Sequence, residues 1–317
     1  MAKAYPIVSP MRELRSSLSE LRLNDLAVGE DARARTVLWA FASKTGRNQA
    51  SSSEYIFGPS VWVRSFIKPP PGHGIAYIDW SQQEFGIAAF LSGDPAMIGA
   101  YLSGDPYLEF AKQAGAIPQD ATKKTHGAIR ELYKQCALAM MYGMSAQGLA
   151  LKLGVPVVVA RGLIQAHKET YRRFWAWIEA AMNQAYELRH LDTVFGWRVH
   201  LGEEVNPRSM QNFPMQANGA EMMRLAACLA TERSIEVCAP VHDAFLICAP
   251  IDRLDADIEA MRSAMVEASR IVLGGFEIRS DVNRVDYPHR YSDGRGVVMW
   301  ERVMALVSKR LGKAIAA

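Results

Sequence analysis

At 317 residues the chain is long enough for one large or two modest domains, and 50% hydrophobic with 22% charged residues is an ordinary globular balance. The net charge of +3 is compatible with nucleic acid but too small to argue for it. No apolar run approaches the roughly 20 residues of a membrane span, the start MAKAYPIVSP lacks a signal peptide's apolar core, and the expected location is cytoplasmic, without membrane contact. Cys136, Cys228, Cys238 and Cys248 form no CxxC pair and have no His at zinc-ligand spacing, so reduced, mostly buried thiols are expected.

Along the chain, residues 11–24 read as an amphipathic helix with Leu14, Leu18 and Leu21 on one face. Residues 44–59, rich in Ser, Gly and Asn, read as a loop, and residues 74–79 (GIAYID) as a short buried strand after a proline break. Helical patterns fill residues 82–190. Within them SGDP occurs twice, and Asp followed by Pro makes Asp94 and Asp105 helix starters, a structural rather than a catalytic role. Residues 194–201 read as a turn and short strand, and 219–231 as a helix. The apolar runs 235–237 and 244–248 flank APVHD and suggest a hairpin with Asp243 near its turn. A helix over 251–273, a strand over 276–282 and a helix over 297–311 close the chain. Strands scattered among long helices, without βαβ alternation, give an α+β class.

Asp79 ends an apolar strand and Asp243 sits between two apolar strands, places where a carboxylate is costly unless a cation meets it. Two such acids on neighbouring strands suit Mg²⁺, although acids also cap strands without any metal. Arg130, Lys134, Leu138 and Tyr142 recur every four residues and drift slowly around one helix face. Two cations one turn apart repel, so a polyanion on that face relieves them; a solvated basic face is the plainer reading.

These segments together resemble the family A DNA polymerases, the bacterial DNA polymerase I group. YIDWSQQEFGIAAFLSGD (77–94) resembles the family's first catalytic motif, Arg130-(x3)-Lys134-(x7)-Tyr142-Gly143 its nucleotide-binding fingers helix, and Val241-His242-Asp243 its third motif. Arg208-(x3)-Asn212-(x3)-Gln216 and Thr45-Gly46-Arg47 resemble its template, primer and minor-groove contacts. The resemblance implies a right-hand fold with an antiparallel-sheet palm, helical fingers and a short thumb remnant. Its divisions are a thumb remnant at 1–43, palm at 44–106, fingers at 107–190, palm again at 191–283 and a C-terminal extension at 284–317. It implies template-directed extension of a primer 3′-hydroxyl by dNTPs, with Asp79, Asp243 and the Trp80 carbonyl holding two Mg²⁺ ions for which Mn²⁺ substitutes, and with Lys134 catalytic. Arg130, Lys134, Leu138, Tyr142, Gln82, Glu84 and Tyr107 would meet the nucleotide, Glu84 as the gate against a 2′-hydroxyl. Arg47, Arg64, Arg208, Asn212, Gln216, His242 and Gly143 would meet primer–template DNA.

Departures from the family pattern are Trp80 for Tyr, Gly86 for Arg, Tyr107 for His, Leu138 for an aromatic and Ala244 for an acid. Only 78 residues precede Asp79, too few for a proofreading exonuclease with a full thumb. Missing domains are therefore expected in a longer parent or in accessory proteins, from a bacterial or phage-like source. Glu84 argues against the related single-subunit RNA polymerases, and intact Asp79, Asp243, Lys134 and Arg130 argue against a DNA-binding relic.

Overall fold

The structure is a computed structural model that describes residues 11, 15, 18, 26–51, 54–58, 60–204 and 206–312. The helix expected over residues 11–24 falls, but for three residues, outside the described residues, and with it about half of the expected thumb remnant.

Two short strands, β1 (Leu38–Trp39) and β2 (Gln49–Ala50), pair antiparallel ahead of a 3-10 turn at Val61–Phe66. The first long strand, β3 (His73–Trp80), extends the expected 74–79 run by one residue at each end. It lies inside a four-stranded antiparallel sheet with β6 (Val237–Val241), β7 (Ala244–Pro250) and β8 (Ser280–Asp286), in the order β6-β7-β3-β8. Alternation along β3 and β7 divides the sheet into two faces. Ala76, Ile78, Trp80, Phe245 and Ile247 point to the main core, where each fully buried aliphatic side chain contributes about 2 kcal/mol. Ile75, Leu246 and Cys248 join a smaller cluster with Phe57 and Tyr291 on the other face, and Tyr77 packs against it. Asp79 shares that second face.

Seven helices follow β3: α1 (Gln83–Ser92), α2 (Pro95–Leu102), α3 (Pro106–Gln113), α4 (Lys123–Met141), α5 (Ala146–Leu153), α6 (Val157–Thr170) and α7 (Arg172–Leu188). Asp94 and Asp105 cap α2 and α3, as the SGDP repeats imply, and proline fills the first helical position of each. Asp94 also accepts the backbone N–H groups of Arg173 and Phe174 at 2.9 and 3.1 Å, so one carboxylate satisfies two helix starts. A hairpin of β4 (His190–Asp192) and β5 (Arg198–His200) leads to α8 (Pro207–Glu232).

Helix α8 starts twelve residues before the expected 219–231 segment because Asn206 caps it with Pro207 at its first position. Pro214 inside it removes one ladder bond, which obscures the pattern in sequence. Asn218 donates to the Pro214 carbonyl at 2.8 Å, and α8 survives because it is buried on several sides. Helix α9 (Leu254–Val272) packs against α8 and the sheet, next to β3 and β7.

Two expectations shift. Strand β8 begins at Ser280 rather than residue 276, because Phe276 turns into an aromatic contact with Phe90 and Tyr101. Pro240, expected in a turn, lies inside β6; an edge strand tolerates a missing N–H. The last helix, α10 (Val297–Leu311), matches its expected bounds but buries none of its residues. Trp300 meets Phe66 edge-on at 5.0 Å, and Asp293 pairs with Arg64 at 3.1 Å, so the segment after β8 docks on the turn before β3.

Candidate active site

The strand register that sets the sheet also builds the site. Asp79 pairs with Ala244 on β7 and with Asp281 on β8, and the Trp80 N–H donates to the Asp243 carbonyl at 3.0 Å. The acids from 79 and 243 are thus tied together by main chain at one end of the sheet. The β6–β7 turn is only His242-Asp243, and His242 takes φ 54°. Gln82, just after Asp79, takes φ 51°. A non-glycine residue in this left-handed region costs about 1–2 kcal/mol, so strain brackets both acids.

The electrostatics agree with the geometry. Burial first, then Asp243 and Asp281, push the Asp79 carboxyl up to about 6. Burial also raises Asp243, with Arg47 and His242 pulling the other way at longer range. The neighbours that act on Asp79 are acids, and two half-buried carboxylates are a donor set that fits a divalent oxygen-seeking cation. Gln82, three residues after Asp79, has a buried Oε1 without a hydrogen-bond partner among the described residues. The Trp80 side chain is buried in the core against Phe245, so only its main chain belongs to the site.

On the helical side, Arg130 Nε donates to Asp105 Oδ2 at 2.5 Å and its guanidinium lies 5.6 Å over the Tyr107 ring. Asp105 is therefore more than a helix starter. Tyr107 is buried against Phe85 and supports Arg130 from below, so its ring does not face an open site. Lys134 is part-exposed, 4.0 Å from Glu131. Leu138 packs against the core. Tyr142 ends α4 and shares side-chain hydrogen bonds with Glu84 and Gln216; burial, then Glu84, push its phenol up to about 12. Arg47 Nη2 meets Glu84 Oε1 at 3.2 Å, so Glu84 is held from both sides.

The loop carrying Arg47 is clamped. Arg224 donates to the Gly46 carbonyl, and Trp197 Nε1 to Lys44 O at 3.2 Å. Gly143, at φ 61°, leaves its Cβ position 3.0 Å from Gln211 Oε1 and 3.2 Å from Arg208 Cγ, so α8 closes against the end of α4. Arg208 is exposed in the first turn of α8, Gln216 is bonded to Tyr142, and Asn212 Oδ1 is buried without a hydrogen-bond partner among the described residues. Arg64 stands apart: its guanidinium is engaged by Asp293 and lies over Phe57. The structure brings Asp79, Gln82, Glu84, Arg47, Tyr142, Gln216, His242 and Asp243 into one neighbourhood, and leaves Arg64 in a structural pair.

Sequence reading missed Asp281, which opposes Asp79 and accepts from Ser81 Oγ at 2.6 Å. Its only signal was an acid inside a strand pattern. The departure at Gly86 also gains a reason: a Cβ there would collide with Ile278 and come 3.1 Å from Tyr101. A side chain there would require the end of the buried Ile278 side chain to move.

The fold is that of a polymerase domain. It superposes on the POL domain of Pol1 from M. smegmatis, solved in complex with DNA primer-template and dNTP, with a TM-score of 0.73 and 21% identity, over 86% of this chain and 51% of that one. The profile of DNA polymerase family A matches residues 57–283, and the chain belongs to that family. It is 26% identical to the thermostable DNA polymerase I of Thermus aquaticus over 84% of this chain and 34% of the relative. It is likewise 26% identical to DNA polymerase I of Pseudomonas aeruginosa, over 66% of this chain and 24% of the relative. The chain thus spans about a third of the length of such relatives. Among the described residues no single helix is long and apolar enough to cross a membrane.

Proposed function

We propose that the chain is a template-directed DNA polymerase core that extends a primer 3′-hydroxyl with dNTPs. The observation that carries this is the main-chain link between the Asp79 and Asp243 positions, which presents two half-buried acids beside the Glu84–Arg47–Tyr142 network. The four-stranded sheet with α8 and α9 is the palm, and α3 to α7 are the fingers.

Asp79 and Asp243 would hold two Mg²⁺ ions, with Mn²⁺ as a substitute and the Trp80 carbonyl as a further ligand. When bound, such ions lower the pKa of the primer hydroxyl and neutralise charge on the departing pyrophosphate. The protein's own work is positioning and charge. Arg130 and Lys134 present a planar fork and a point charge to the triphosphate, Arg130 after exchanging Asp105 for phosphate oxygens. Gln82 Oε1 and Asn212 Oδ1 are buried acceptors placed to take hydrogen bonds from nucleotide and DNA. Tyr142 would stack against the templating pair, with Gly143 at φ 61° allowing the turn behind it. Glu84, fixed by Arg47 and Tyr142, excludes a 2′-hydroxyl, so deoxynucleotides are preferred. Arg208, Gln216 and His242 contact the DNA backbone and minor groove without reading sequence.

The described palm and fingers would extend primers without proofreading. Primer extension on a defined template, with Mg²⁺ and either dNTPs or NTPs, tests the reading. Extension with dNTPs, weak with NTPs and absent without template is the expected result; no extension with either overturns it.

A further inference from the structure

At the opposite end of the same sheet, an irregularity in the edge strand gathers three groups that lie apart in the linear pattern. Strand β6 pairs with β7 through Val237↔Ile247 and then Ala239↔Leu246, so Cys238 is the extra residue of a β-bulge. Bulges re-aim side chains. Here Cys238 Sγ, Cys248 Sγ and a Glu236 carboxylate oxygen all lie within 4.8 Å of one another. Glu236 is fixed opposite Cys248 by the Cys248 N–H, which donates to the Glu236 carbonyl at 3.1 Å. Among the described residues this is the one group of three or more His, Cys, Asp or Glu side chains so close together.

We propose that Glu236, Cys238 and Cys248 bind a soft divalent cation of the zinc class, with water in the fourth position, stapling the bulged edge strand β6 to β7. Zn–S bonds of about 2.3 Å at tetrahedral angles put two sulfurs about 3.8 Å apart, so closure needs shifts of about 1 Å at most. The charges fit as well. Two thiolates and a carboxylate bring three negative charges against the cation's two, and Arg33, 3.2 Å from Glu236, supplies the remaining positive one. Cys238 and Glu236 are exposed, which leaves an entry path and room for the water.

The ligand set separates this site from the acid pair. Thiolates select zinc-class ions, whereas Mg²⁺ takes oxygen ligands at near-octahedral geometry. Cys248 opposes Ile75, four residues along β3 from Asp79, which is about 13 Å at ~3.3 Å per residue. The cation would therefore stabilise the sheet rather than enter the reaction. The cysteine spacing gave no hint of it because the ten-residue separation of 238 and 248 becomes contact only through the hairpin and its bulge.

The test uses the full chain, reduced and stripped of metal with a chelator. Titration with Cd²⁺ should give a thiolate-to-cadmium charge-transfer band that saturates at one equivalent and is lost when Zn²⁺ displaces the probe. Cys238→Ser and Cys248→Ser should each abolish the band, Glu236→Gln should weaken binding about tenfold, and Cys228→Ser, at an exposed thiol elsewhere, should leave it intact. Independently of any variant, one equivalent of Zn²⁺ should slow iodoacetamide labelling of Cys238 at least tenfold and raise the melting midpoint by a few degrees. A band that survives the loss of both cysteines, unprotected Cys238, or a Cys238–Cys248 disulfide forming in place of metal uptake overturns the proposal.

Discussion

At the sheet end of the site the acids lack close cations, whereas on the helical side the cations are already paired with acids. Asp79 is pushed up to about 6 by burial and by its acidic neighbours, while Arg130 rests on Asp105 and Arg47 on Glu84. The difference assigns each half its partner. In the proposed reading the sheet acids would take a cation that the protein does not supply, and Arg130 would leave Asp105 only when a polyanion competes for it. Only the sheet half carries an uncompensated charge; a bound nucleotide with its cations would relieve it while competing with Asp105 for Arg130.

The largest effect should come from removing the sheet acids. Asp79→Ala or Asp243→Ala should lower single-turnover extension at least about a thousandfold, with primer–template affinity, read by fluorescence anisotropy, nearly unchanged. Near-normal extension in both variants would break the comparison at its stronger side. On the helical side, Lys134→Ala should raise the KM for dNTP about ten- to a hundredfold, because one phosphate contact is lost. Asp105→Asn should act the opposite way. It keeps the cap on α3 but frees Arg130, and dNTP KM should fall about fivefold if the pair is worth about 1 kcal/mol. An unchanged KM would mean that Arg130 stays with its partner and only supports the fold. Glu84→Ala should raise ribonucleotide incorporation relative to deoxynucleotide in a competition assay, and Arg47→Ala should do so more weakly by releasing Glu84.

The smallest expected effect concerns stability and pH. A carboxyl whose folded pKa is raised from 3.8 to about 6 binds its proton more tightly in the folded state, so stability falls as pH rises from about 4 to 6 and is flat above. Asp79→Asn should therefore stabilise the metal-free protein at pH 8 by about 1 kcal/mol, after discounting for solvent screening at a half-buried group, and leave it unchanged at pH 4. Denaturant melts at the two pH values would show it. A destabilised Asn variant at pH 8 would mean that the carboxylate is better compensated than its neighbours suggest.

How much of this was legible in the sequence depended on range. Asp94 and Asp105 announced themselves as caps because capping is local. The adjacency of Asp79 and Asp243 was legible because each sits where an apolar strand meets a carboxylate, and the structure puts those strands side by side. Asp281 was not, since its position opposite Asp79 exists only through β3–β8 register. The Arg64–Asp293 pair was not legible either, since Asp293 is more than two hundred residues away and unmarked by any pattern. The early start of α8 was hidden by Pro214, whose penalty is offset by burial that no local window contains. Side-chain chemistry was legible residue by residue; the pairings that decide its charge state came from register.

The central claim is that Asp79 and Asp243 together hold the divalent cations of primer extension. Electron paramagnetic resonance of Mn²⁺ bound to the primer–template complex with a non-hydrolysable dNTP analogue tests it most directly. The count should exceed that of the Asp79→Asn and Asp243→Asn complexes by two ions, with the nucleic acid still bound in all three. An equal count in wild type and both variants would contradict the account.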